Sequence, residues 1–143
     1  MNGFIDASVI VAILGRESDW KHQRSRVFAF QGAKFVSPLV LYEASLGLAR
    51  AKAGMGAALS AAVIEDARQT VLKFMAEMNA QEIAIDNETA NGAIDAAMRF
   101  GKTVRHPAAL NLGDCFAYAC AAARDAAIIH KGGDFSKTDI AIA

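Results

Sequence analysis

Four acids in this chain sit where acids are costly. Asp6 ends the apolar run Gly3-Phe4-Ile5-Asp6, and Glu43 shares an expected helix face with Leu39 and Leu46. Asp114 opens the apolar helix Leu112-Gly113-Asp114-Cys115-Phe116, and Asp134 lies in the turn Lys131-Gly132-Gly133-Asp134-Phe135, straight after an apolar strand. A carboxylate in apolar surroundings loses its hydration unless a partner or a metal compensates. Oxygen donors of this kind suit hard divalent cations, Mg²⁺ or Mn²⁺. An ion held so can activate a water, orient it in line and neutralise the leaving oxygen of a phosphodiester. Taken singly, Asp6 is as readily a helix cap as a ligand, Asp114 is more often an N-cap, and Asp134 is an ordinary turn residue. Glu43 is the hardest to explain as a surface acid. Together, from four separate segments, they point to one metal site.

The elements that would position them alternate. Phe4–Asp6 reads as a strand and Ser8–Leu14 as a helix, although the β-branched run Val9-Ile10-Val11 also permits a longer strand. A helix capped by Ser18 or Asp19 runs to about Phe30, and Ala33–Val36 is a short strand. Ser37-Pro38 is a helix start that carries the chain to about Ala53. The stripe Leu59, Val63, Ala67, Val71, Phe74, Met78 predicts a helix over Ala57–Asn79. Glu82–Ile85 reads as a strand, Asp86 or Asn87 caps a helix to about Phe100, Gly113-Asp114 opens a helix to Arg124, and Ala127–His130 is a strand, with Ile140–Ile142 as a candidate further one. Short strands alternating with helices predict a three-layer α/β/α sandwich with a mostly parallel central sheet. In such sheets the site lies beyond the carboxyl ends of the strands, beside helix N-termini. All four acids fall at positions that can face it.

The 143 residues fit a single domain, residues 1–143, with a real core. At 54% hydrophobic and 21% charged, the chain is not a disordered one. Its 15 basic and 15 acidic residues balance, and gathering four acids into one pocket leaves 15 against 11 elsewhere. A mildly basic outer surface is compatible with a polyanion. Cys115 and Cys120 lie five apart on one expected helix, which suits neither a disulfide nor a zinc site, and they read as small buried side chains of a reducing compartment. No basic leader or uncharged membrane-length stretch is present, so a soluble cytoplasmic protein without membrane contact is expected.

The segments Ile5-Asp6-Ala7-Ser8, Leu41-Tyr42-Glu43-Ala44, Arg105-His106-Pro107-Ala108-Ala109-Leu110-Asn111, Leu112-Gly113-Asp114-Cys115-Phe116-Ala117-Tyr118-Ala119 and Lys131-Gly132-Gly133-Asp134-Phe135-Ser136-Lys137-Thr138-Asp139-Ile140 resemble, in order, the motifs of PIN-domain ribonucleases. The resemblance is closest to the VapC-type toxins of toxin–antitoxin pairs and covers essentially the whole chain. Gly133 departs from it, standing where an acidic or polar residue is common. The resemblance implies a PIN-like fold and a metal-dependent endoribonuclease using Mg²⁺ or Mn²⁺. It also implies an RNA substrate, often a structured one such as tRNA, a VapB-type antitoxin and a homodimer.

Within that reading Asp6 and Asp114 are the principal ligands. Glu43 and Asp134 complete the cage, bind a second ion or position the water. Four carboxylates in one small pocket repel one another, so without metal at least one should hold its proton to higher pH. Ser8, Thr138 and Asp139 are candidates for orienting the ligands, and capping or turn roles account for them equally well. Arg99, Lys102, Arg105 and His106 form the best basic cluster for RNA phosphates, with a solvated loop as the competing reading. A phosphatase with a nucleophilic Asp would need a second Asp where Ser8 stands. A metal-dependent DNA nuclease and a non-catalytic PIN-like binding module remain as alternatives, the latter marked by loss of acids that are all present here.

Overall fold

A computed structural model describes residues 1–143 and shows a four-stranded, wholly parallel sheet flanked by helices, the PIN-like α/β/α sandwich. The strands are β1 (Asn2–Ile5), β2 (Lys34–Val36), β3 (Gln81–Glu82) and β4 (Ala126–Ile129), in the order β3-β2-β1-β4. β1 is central, with Phe4 opposite Phe35 on one side and Ile128 on the other, and Phe4 and Ile5 are fully buried. Strands covered on both faces read as unbroken apolar runs, which is why β1 and β4 do.

The helices are α1 (Ala7–Leu14), α2 (Trp20–Ala29), α3 (Pro38–Ala53), α4 (Ala61–Glu77), α5 (Asn87–Phe100) and α6 (Leu112–Ala123). α3 packs along α4 and against α1, while α5 packs along α6. Val9, Ile10 and Val11 are helical in α1, although their β-branching favours strand. Asp6 caps the helix, and Val9, Ile10, Ala12 and Ile13 are all buried, so packing overrides propensity. Ser37 caps α3 with Pro38 in its first turn, and Ser60 and Asp86 cap α4 and α5, each side chain accepting a backbone N–H. Such a cap stabilises a helix by about 1 kcal/mol.

Several boundaries differ from the sequence reading, most by a residue or two. α4 starts at Ala61 rather than Ala57, because Ser60 takes the cap while Gly54 and Gly56 sit at left-handed φ of 87° and 80°. The strand expected over Glu82–Ile85 is only Gln81–Glu82, a short exposed edge, though Ile83 is still buried. Asn111, not Gly113-Asp114, caps α6. Ile142 joins the sheet by one parallel bridge to Ile128 instead of forming a strand. Both cysteines are buried and free, and no helix is long and apolar enough to cross a membrane.

Candidate metal centre

The four acids come from four elements at the carboxyl end of the sheet. Asp6 follows β1 directly, and its backbone N–H donates to the Ile129 carbonyl at 3.0 Å, so β4 fixes its position. Its side chain is buried, and Oδ2 accepts both the Ser8 N–H at 3.1 Å and the Ser8 hydroxyl at 2.5 Å. The Ser8 oxygen in turn accepts the Lys131 N–H at 3.1 Å, which ties Asp6 to the turn after β4. Both side-chain bonds fall on Oδ2, leaving Oδ1 without a protein donor.

Asp114 is the third residue of α6 and half of a capping box. Asn111 Oδ1 accepts the Asp114 N–H at 2.9 Å, and Asp114 Oδ2 accepts the Asn111 N–H at 3.0 Å. Its other oxygen, Oδ1, is again left over. Burial pushes the Asp114 carboxyl up to about 6, against the pull of the Asn111 N–H, and the charges of Asp6 and Asp134 push the same way as burial.

Glu43, in the second turn of α3, is half-buried and takes no hydrogen bond from the protein. Burial, then the charges of Asp6 and Asp114, push it up to about 7. Its carboxylate lies against Gly113, over the first turn of α6. The fully packed stripe of α3 is Val40, Ala44 and Leu48. Leu39, Glu43 and Leu46 lie half-buried on its flank, so Glu43 shares their face but at the margin of the core. Asp134 is exposed and opens a 3-10 turn, Asp134–Lys137, anchored by buried Phe135 edge-on to His130 at 4.8 Å.

Glu43 thus feels the charges of Asp6 and Asp114, Asp114 those of Asp6 and Asp134, and none of the four forms an ion pair. Lys131 pairs with Glu17 and with Asp19 at 2.9 Å, and Arg26 binds Gln23 and the His130 carbonyl, while Lys137, in the same turn as Asp134, forms no ion pair. Four acids from this end of the sheet, buried to exposed and none in a salt bridge, are by their oxygen chemistry a donor set that suits a hard divalent ion. The side chains do not form a closed cage, since no three His, Cys, Asp or Glu groups stand ready to share one ion. The Ser8 and Asn111 bonds fix Asp6 and Asp114 where they stand.

The other candidates divide. Ser8 contacts Asp6 directly. Thr138 does not reach the acids: its hydroxyl donates to the Phe135 carbonyl at 2.7 Å and closes the 3-10 turn. Asp139 is bound by Arg99 and by the Tyr118 hydroxyl. Arg99 is therefore occupied, with its guanidinium also 4.6 Å from the Phe100 ring centre. His106 turns into its own loop, where Nδ1 accepts the Ala108 N–H at 3.0 Å and the ring stands edge-on to Phe100. Only Lys102 and Arg105 remain exposed and unpaired in that cluster.

Three residues of this region escaped the sequence reading. Asn111 was legible, since an Asn three residues before Asp114 is a capping-box pattern. Buried His130, whose proton burial disfavours although Asp6 favours it, looked like one more strand residue. Gly113 stood in the motif before Asp114, but its contact with Glu43 had no sequence signal, because the two are distant in the chain.

Comparison with known proteins agrees with this architecture. Residues 3–141 match the PIN domain. The chain is 45% identical over 139 residues to a VapC ribonuclease of Rhizobium meliloti, spanning 96% of this chain and 98% of that one. It is 28% identical over 142 residues to ribonuclease VapC30 of Mycobacterium tuberculosis, spanning 96% and 95%. A shorter match, 44% identical over 59 residues, links it to a ribonuclease VapC of Mycolicibacterium smegmatis, spanning 41% and 45%.

Proposed function

Because the chain belongs to the PIN-domain family, among its VapC ribonucleases, we propose that it is the toxin of a type II toxin–antitoxin pair, an endoribonuclease working through Asp6, Glu43, Asp114 and Asp134. The observation that carries this reading is the set of four acids, contributed by four elements at one end of the sheet and none of them in a salt bridge.

Asp6 and Asp114 would hold the ion, each through the oxygen that Ser8 or Asn111 leaves free. Glu43 and Asp134 would complete the set. Mg²⁺ or Mn²⁺ there would supply Lewis acidity toward the scissile phosphate and a lowered pKa for the attacking water. The protein's own part is positional. Ser8 fixes Asp6 in one rotamer, the Asn111 box fixes Asp114, and Phe135 anchors the turn that presents Asp134. Glu43, up at about 7 without metal, can hold or release a proton at its carboxylate near neutral pH. Of the basic cluster, Lys102 and Arg105 are exposed and unpaired and would meet RNA phosphates. A VapB-type antitoxin, a homodimer, a cytoplasmic setting and a structured substrate such as tRNA belong to the same proposal, on the strength of family membership.

The test is cleavage of cellular RNA by the purified chain with Mg²⁺ or Mn²⁺, with EDTA, and by Asp114→Asn. Asn at that position still offers an oxygen to the Asn111 N–H, so α6 keeps its cap while the ligand charge is lost. Metal-dependent cutting that vanishes in the variant supports the proposal. Cutting that persists in EDTA or in the variant refutes it.

A further inference from the structure

Gly113 has no backbone reason to be glycine. It is the second residue of α6, in ordinary helical conformation, and it is not among the residues with positive φ. Alanine is the better helix former, so propensity argues against glycine here. The space above it explains the choice. A Cβ built on Gly113 would lie 2.7 Å from Glu43 Cδ and 2.8 Å from Oε1, with Oε2 closer still. Other tight glycines make room for apolar packing, Gly3 for the Phe30 ring and Gly47 for Val11. Gly113 alone has an ionisable group in the space a side chain would take.

We propose that Gly113 is a positioning residue, whose missing side chain is the seat that holds the Glu43 carboxylate over the first turn of α6, one residue from Asp114. The inference rests on the proposed metal site and adds to it a steric determinant from outside the acids. Its physical signature separates it from a packing glycine. Glu43 is long and flexible at its far end, so a methyl group at position 113 displaces the carboxylate without unfolding the helix. Relief of a half-buried acid and better helix propensity then act in the same direction on stability.

The experiment is a calorimetric titration of Mn²⁺ into the full chain, beside metal-free melting, for wild type, Gly113→Ala, Glu43→Ala and the double variant. Gly113→Ala is expected to weaken Mn²⁺ binding about ten- to a hundredfold, the range for loss of a group that orients a ligand. Its metal-free melting temperature should equal or exceed that of wild type, and the double variant should bind no more weakly than Glu43→Ala. Wild-type affinity in Gly113→Ala, beside weakened Glu43→Ala, would overturn this inference alone, as would a further loss in the double variant. Wild-type affinity in Glu43→Ala would sink the four-acid site, and this inference with it.

Discussion

Two groups of acids in this protein are treated in opposite ways. Glu17, Asp19 and Asp139 are each given a cation, Lys131 for the first two and Arg99 for the third. Hydrogen bonds from Gln23 and Lys131 hold Asp19 below the usual carboxylate range, and those from Tyr118 and Arg99 do the same for Asp139. Glu43 and Asp114 receive no cation, are half-buried, and are pushed up to about 7 and about 6. A carboxylate that ties loops together is neutralised from within the chain. In the proposed site the acids that would hold an external ion are left without a cation of the protein.

The largest effect should come from removing a ligand charge while keeping its local hydrogen bonds. Asp6→Asn and Asp114→Asn should each reduce RNA cleavage more than about a hundredfold, beyond the loss typical of groups that only orient ligands. Their metal-free melting temperatures should hold or rise. A marked drop in melting temperature would place these acids with the structural group instead.

Ser8→Ala frees Asp6 Oδ2 and cuts the link to Lys131. Metal affinity and cleavage should fall about ten- to a hundredfold, measured by Mn²⁺ titration and RNA cutting, with the metal preference unchanged.

The stability of the metal-free chain should decline from about pH 4 to about pH 7. Glu43 and Asp114 deprotonate later in the folded state than unfolded, so across this window the folded state binds more protons and rising pH favours unfolding. The two groups together are worth on the order of 2 kcal/mol, given their partial exposure. His130, with its proton disfavoured in the fold, works in the other direction just below pH 6.5. Saturating Mn²⁺ should flatten the decline, and thermal melts across pH with and without Mn²⁺ would show it.

The smallest effects should be on the other side of the comparison. Asp139→Ala breaks an exposed pair with Arg99 and the hydrogen bond from the Tyr118 hydroxyl, so the melting temperature should fall modestly while metal affinity stays. Replacing Lys102 and Arg105 by Gln should leave metal binding intact and lower the slope of RNA affinity against salt by up to about two counterions. An unchanged slope would remove that loop from the RNA surface.

The fold was largely legible because its signals are local. Ser37-Pro38 announces α3, the Leu59-to-Met78 stripe announces most of α4, and the apolar runs announce β1 and β4. What failed was of two kinds: β3 shrank to an exposed edge, decided by the sheet, while the Ser60 cap that starts α4 is a local signal that the Gly-rich stretch before it obscured. The four acids were legible because charge inside apolar sequence is conspicuous. The fates of Arg99, Thr138 and Asp139 were not, since Arg99 and Asp139 find each other across 40 positions and Thr138 turns back on its own loop. Gly113 shows the limit most sharply. Its meaning lies wholly in the carboxylate above it, on another helix.

The most direct test of the account is Mn²⁺ titration of the metal-free chain near pH 6.5, in two buffers of different ionisation enthalpy, for wild type and Asp114→Asn. The account predicts binding with release of protons from Glu43 and Asp114, seen as a buffer-dependent heat, and loss of most of that affinity in the variant. Absence of binding, or equal binding by Asp114→Asn, would contradict it.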